Sequence, residues 1–131
     1  MEGYKSNIEQ ETLNNKNFRR VLYTAKNLQL VLMALQPGED IGFEVHENDQ
    51  FFRFESGSGK VMIDENSYPV EDGDAVIVPA GSRHNVINTS EEEILQMYTL
   101  YAPPHHKDGI VRATKQEAEA NDEEFDGTTT E

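Results

Sequence analysis

Glu44, His46 and Gln50 lie within nine residues of chain, in GFEVHENDQFFRFESG, and His84 stands alone near the middle of GDAVIVPAGSRHNVIN. Carboxylate, imidazole and amide groups can hold a divalent cation, and they can equally form a hydrogen-bonded polar network. Glu44 and His46 are two apart, so on a strand they share one face. Gln50 opens the next apolar stretch. His84 follows Pro79-Ala80-Gly81, where a residue without an N–H and a residue tolerant of tight bends mark the end of a strand rather than its interior. A buried carboxylate without a partner is costly, which favours a cation beside Glu44.

The elements that must position these residues are short. Apolar, partly β-branched stretches run from Phe18 to Ala25 and from Leu28 to Gln36, and further strands are expected at about 43–47, 50–56, 60–64, 67–70, 75–79, 84–89 and 94–101. Gly57-Ser58-Gly59, Glu65-Asn66, Asp72-Gly73-Asp74 and Ser90 to Glu93 punctuate them as turns. Many short strands at regular spacing predict an antiparallel barrel or sandwich. Phe52 and Phe54 share the parity of Gln50 and should face inward, with Phe51 and Arg53 outward. Residues 1–16 are polar and aperiodic and read as a flexible arm, 17–113 as the barrel. In 114–131, Thr114-Lys115-Gln116-Glu117 has capping-box spacing for a short helix to about Glu124, followed by an acidic, solvated tail.

The 131 residues suit one compact domain. A formal net charge of -14 argues against nucleic acid and anionic membrane surfaces, whose phosphates require clustered Lys and Arg. Small molecules, metal ions or a second copy remain as partners. With no cysteine there is no disulfide framework, thiolate metal site or cysteine nucleophile. The opening MEGYKSNIEQETLNN carries no apolar leader core, and no run approaches a membrane span, so a cytoplasmic location is expected.

The pattern Gly73, Pro79, Gly81, His84, Asn88 resembles the second conserved motif of the cupin superfamily. The first motif, Gly, five residues, His-x-His, three or four residues, Glu, six residues, Gly, fits when anchored on His46. Gly38 then opens it, Glu44 takes the first His place, Gln50 the Glu place, and Gly57 closes it. The likeness spans roughly residues 28 to 102. It implies an all-β fold, the double-stranded β-helix or jelly-roll barrel, with a short C-terminal helix added. It also implies metal ligands Glu44, His46, Gln50 and His84. With one imidazole exchanged for oxygen, the site would favour manganese, iron or zinc over copper. Cupins commonly dimerise through a sheet face, so outward Phe51 and the Phe18–Tyr23 segment lead to an expected homodimer.

DQFFRFESG, VIVPAGSRHNVIN and YTLYAPPHHKDG look like stand-alone cupins described as mannose-6-phosphate isomerase-like. The activity this resemblance implies is metal-dependent isomerisation of a sugar or sugar phosphate. The alternatives are a dioxygenase and a non-catalytic ligand- or metal-binding cupin. No general base is identified. Tyr98 and Tyr101 have opposite parity on the last long strand, so at most one should face the cavity. His105 and His106 follow Pro104, and His106 is a weak candidate for a residue closing over the opening. Arg83, beside His84, could meet an anionic substrate at the barrel mouth.

Overall fold

The computed structural model describes all 131 residues. Helix α1 is Ile8–Asn14, and the strands are β1 Arg19–Thr24, β2 Gln29–Leu35, β3 Asp49–Ser56, β4 Ser58–Ile63, β5 Asn66–Glu71, β6 Ala75–Val78, β7 His84–Asn88, β8 Leu95–Ala102 and β9 Val111–Arg112. Helix α2 is Lys115–Ala120. The strands form two sheets, a six-stranded one in the order β6-β3-β8-β2-β1-β9 and a three-stranded one in the order β5-β4-β7. This is an all-β jelly roll with a short C-terminal helix. No helix is long and apolar enough to cross a membrane.

Parity builds the core. Phe52 and Phe54 on β3, Val31, Met33 and Leu35 on β2, and Leu95 and Met97 on β8 all face the space between the sheets and are buried. Val61, Val70 and Val86 close it from the small sheet. The β2 run QLVLMAL does not alternate, because its other face is covered as well: Leu32 and Ala34 are also buried. Part of that cover is α1, on the outer side of the large sheet. The amide of Gln96 on β8 donates to the carbonyls of Leu13 and Asn15, which tie down the end of the helix.

Several expectations are corrected. The segment read as a flexible arm is helical over Ile8–Asn14, N-capped by Asn7, whose side chain accepts from the Gln10 N–H. The expected strand at 43–47 is reduced to bridges at Asp40 with Ile87 and Glu44 with His84, so this segment lies along β7 without becoming a continuous strand. The cause is one extra residue. Between the two bridges the segment advances four positions while β7 advances three, and Gly42 absorbs the surplus at φ 104°, its N–H donating to the Asn85 side chain rather than to the ladder.

At the other end of the chain, α2 is capped by Thr114 as the spacing predicts, but it stops at Ala120. The tail beyond it folds back onto the barrel. The Phe125 N–H donates to the His105 carbonyl, and the Thr130 N–H donates to that of Thr24.

Candidate metal centre

Opposed backbone bonds bring Glu44 and His84 together. The Glu44 N–H donates to the His84 carbonyl at 2.9 Å and the His84 N–H returns to the Glu44 carbonyl at 3.0 Å, which makes them directly facing residues with side chains on one side. The bulge at Gly42 sets which face Glu44 presents. His46 is fixed through the corner that precedes His84, because its carbonyl accepts from the Gly81 N–H at 2.8 Å and the Ala80 N–H donates to the Asp49 carboxylate. The Pro-Ala-Gly corner and the 44–49 segment are thus clasped together.

Ligand atoms of Glu44, His46 and His84 all lie within 4.8 Å of one another. The two imidazole rings meet edge to face at 4.8 Å between centroids. His84 Nδ1 lies 3.0 Å from the Ser82 carbonyl, which fixes Nδ1 as the protonated nitrogen and leaves the Nε2 lone pair free. Gln50 reaches the cluster from β3. Its amide nitrogen donates to Thr99 Oγ1 at 2.9 Å, and this turns its carbonyl oxygen to within 3.1 Å of His46 Nε2. Burial, followed by the proximity of His84, holds the His46 pKa below its ordinary value, while Glu44 opposes the shift. His46 is therefore neutral near pH 7, the form that can ligate.

These residues fit a divalent cation. The donor set is one carboxylate, two imidazoles and one amide oxygen already aimed inward, and His46 Nδ1 is buried with no hydrogen-bond partner. Glu44 also lines a cavity of about 230 Å³ bounded by Phe18, Arg19 and Ile41, by Ala118 and Glu119 of α2, and by Asp122 just beyond it.

The other singled-out residues fall in different places. Tyr101 faces inward and is buried, whereas Tyr98 lies on the outer face near Phe51, at 6.2 Å between rings. His106, read as a residue closing over the opening, is instead interior at 4% exposed, its Nε2 3.3 Å from the Tyr101 hydroxyl. Burial and the Arg19 charge push its pKa down to about 2. Arg83 stacks on the ring of Phe43 at 3.8 Å, away from the cavity that Glu44 lines.

Two residues near the centre, Gln29 and Arg19, escaped the sequence reading, and a third, His105, was read only as one of a loop pair. His105 stacks on Tyr101 and lies 4.8 Å from the His46 ring, with its pKa lowered to about 4, first by burial and then by His46. Gln29 holds the His105–His106 turn, accepting from both N–H groups and donating to the His106 carbonyl and to Thr24. Arg19 is buried on the inner face of β1. Its one signal in the sequence is that it shares the parity of Val21, whereas its neighbour Arg20 has the opposite one.

The chain matches the family model described as Cupin domain over residues 31–101 and belongs to the cupin family. It is 46% identical over 121 residues to YrkC of Bacillus subtilis strain 168, which covers 87% of this chain and 64% of that protein. Protein L612 of Acanthamoeba polyphaga mimivirus is 40% identical over 112 residues, covering 82% of this chain and 70% of its own length. The present chain thus spans just under two thirds of the Bacillus subtilis relative. Among solved structures, BH2720 from Bacillus halodurans is similar with a TM-score of 0.88 and 44% identity, over 90% of this chain and 94% of that one.

Proposed function

We propose that this cupin is a metal-dependent enzyme acting on a small oxygen-rich molecule such as a sugar derivative, by isomerase-type chemistry. The observation that carries the reading is the convergence of Glu44, His46 and His84, with the Gln50 carbonyl turned to His46, beside a cavity that Glu44 itself lines. A divalent ion held there would supply Lewis-acid polarisation of a carbonyl or hydroxyl oxygen. The protein's own part is to orient the His84 ring through the Ser82 carbonyl and to keep His46 neutral by burying it. Burial also raises the Tyr101 pKa, so its phenol stays protonated and acts as a hydrogen-bond donor rather than a base. The likeness of three sequence stretches to mannose-6-phosphate isomerase-like cupins supports a carbohydrate-derived substrate within this reading.

The test begins with elemental analysis of protein purified without chelators or a polyhistidine tag. Near-stoichiometric manganese, iron or zinc is expected, and it should be lost in Glu44→Ala and His84→Ala. Metal-loaded protein is then incubated under nitrogen with sugar phosphates and uronates. Turnover without oxygen supports isomerisation. Turnover only in air overturns it in favour of dioxygenation, and a ligand that raises the melting temperature yet emerges unchanged with every metal overturns it in favour of binding alone.

A further inference from the structure

We infer that Arg19 is an anion-recognition residue in the cavity beside the Glu44 cluster, and that the molecule taken up there is a small hydroxy- or keto-carboxylate; the substrate class, though not the role of Arg19, rests on the metal-centre reading above. Arg19 is only 8% exposed, and its Nε has no hydrogen-bond partner. The ion pairs of this molecule are made by Arg53, Lys107, Arg112 and Lys115, so no carboxylate lies within pairing distance of the Arg19 guanidinium. Its closest recorded partner is the Phe18 ring, 5.3 Å away. Acidic residues are not scarce, since the chain has 25 of them. The cross-strand neighbour Arg112 shows the ordinary solution, pairing with Glu123 at 3.5 Å and donating to the Asn121 carbonyl. A buried guanidinium left without a counter-charge is expensive, and sites that bind ligands are where such costs are kept.

Arg19 and Glu44 line the same cavity. With a divalent ion in place, the ion and the guanidinium balance the Glu44, Glu119 and Asp122 carboxylates, and Arg19 is the one cationic side chain on the lining. The planar, forked guanidinium suits a carboxylate, whose neighbouring hydroxyl or keto oxygen would then lie toward the metal ligands. One observation favours a carboxylate over a phosphate. Glu119 and Asp122 also border the cavity, so a ligand of higher negative charge meets repulsion there.

The experiment compares lactate with its neutral isostere lactamide by calorimetry and thermal melting. It uses wild type, Arg19→Met and Arg19→Lys, each in Mn²⁺-loaded and chelator-treated form. Wild type should bind lactate at least about tenfold tighter than lactamide. Arg19→Met should lose that preference, keep its Mn²⁺ stoichiometry and melt about 2–5 °C higher than wild type without ligand, because an unpaired buried charge has been removed. Arg19→Lys should retain part of the preference. Equal binding of lactate and lactamide by wild type, an undiminished preference in Arg19→Met, or a lower melting temperature in that variant would each overturn the assignment. If wild type takes up no Mn²⁺, the metal centre fails separately, and the chelator-treated proteins still decide the role of Arg19.

Discussion

Two buried glutamines flank Tyr101 in one row across the large sheet, Gln50 from β3 and Gln29 from β2, and they are used in opposite ways. Gln29 spends its whole amide on the protein, with two backbone N–H groups on its oxygen and a hydroxyl and a carbonyl on its nitrogen. Gln50 anchors only its nitrogen, on Thr99, and offers its oxygen to an imidazole of the cluster. Residue type and burial are the same, so neither distinguishes a structural amide from a ligand. What distinguishes them is whether the acceptor is consumed by backbone groups or left facing other ligand-capable side chains.

Replacing each glutamine should expose this difference. Gln29→Leu leaves the buried His105 and His106 N–H groups and the His106 carbonyl without partners, at about 1–3 kcal/mol per group, so a loss of roughly 3–5 kcal/mol is expected in urea melts. At temperatures where the variant remains folded, its Mn²⁺ stoichiometry should match that of wild type. Gln50→Leu should cost metal-free stability only about 1 kcal/mol while lowering Mn²⁺ affinity about tenfold. Gln50→Glu should raise that affinity by about the same factor, because a charged oxygen replaces a neutral one, and should lower metal-free stability by placing a second carboxylate near Glu44. A Gln29 variant that loses metal at full stability would reverse the two roles.

Much of the barrel was legible in the sequence because parity and punctuation act locally. Alternation placed Phe52 and Phe54 inward, and the Pro79-Ala80-Gly81 corner marked where β6 ends and His84 enters. The convergence of Glu44 and His46 with His84 was reached by matching motifs, and the feature that produces it was not visible. The bulge at Gly42 shifts which residues face β7, and one glycine among several does not announce a bulge. Helix α1 was missed because seven mostly polar residues carry too little periodicity, although Asn7 and Gln10 have capping spacing. Gln29 and Arg19, and the place of His105 beside His46, were missed for a shared reason. Their roles depend on partners distant in the chain, such as the 76 and 77 positions that separate Gln29 from the N–H groups it accepts.

Acid separates the Gln29 side of the row from the Gln50 side. The turn held by Gln29 buries His106, whose pKa falls from 6.5 to about 2. The unfolded chain takes up a proton on this residue below pH 6.5 and the folded chain does not, so the stability is full above 6.5 and declines as the pH falls. The limiting slope is about 1.4 kcal/mol per pH unit for one group. Urea midpoints of chelator-treated protein between pH 7.5 and 5.5 should therefore drop less steeply in His106→Gln than in wild type. Equal slopes would mean that the ring is protonated in the folded state, and that the Gln29 clasp does not enforce its burial.

The smallest effect belongs to the Gln50 side. Asp40, just before the bulge that presents Glu44, accepts from Lys115 of α2 at 2.8 Å and from Asn85 of β7. The Lys115 bond foremost, then that of Asn85, lowers the Asp40 pKa below 3.8. Its contribution is thus complete above the ordinary carboxylate range and is lost as the pH falls through the lowered folded value. The Asp40 side chain is 38% exposed, so screening limits the pair to no more than about 1 kcal/mol. Asp40→Asn should remove that acid-side component and part of the salt sensitivity of melting, while the His106-dependent slope between pH 7.5 and 5.5 stays as it is in wild type. Because Asp40 and Asn85 flank Gly42, the same variant should also weaken Mn²⁺ binding slightly, by less than Gln50→Leu does. A Mn²⁺ affinity that falls as far as in Gln50→Leu would show that the bulge, rather than the amide oxygen, limits how well the cluster holds its ion.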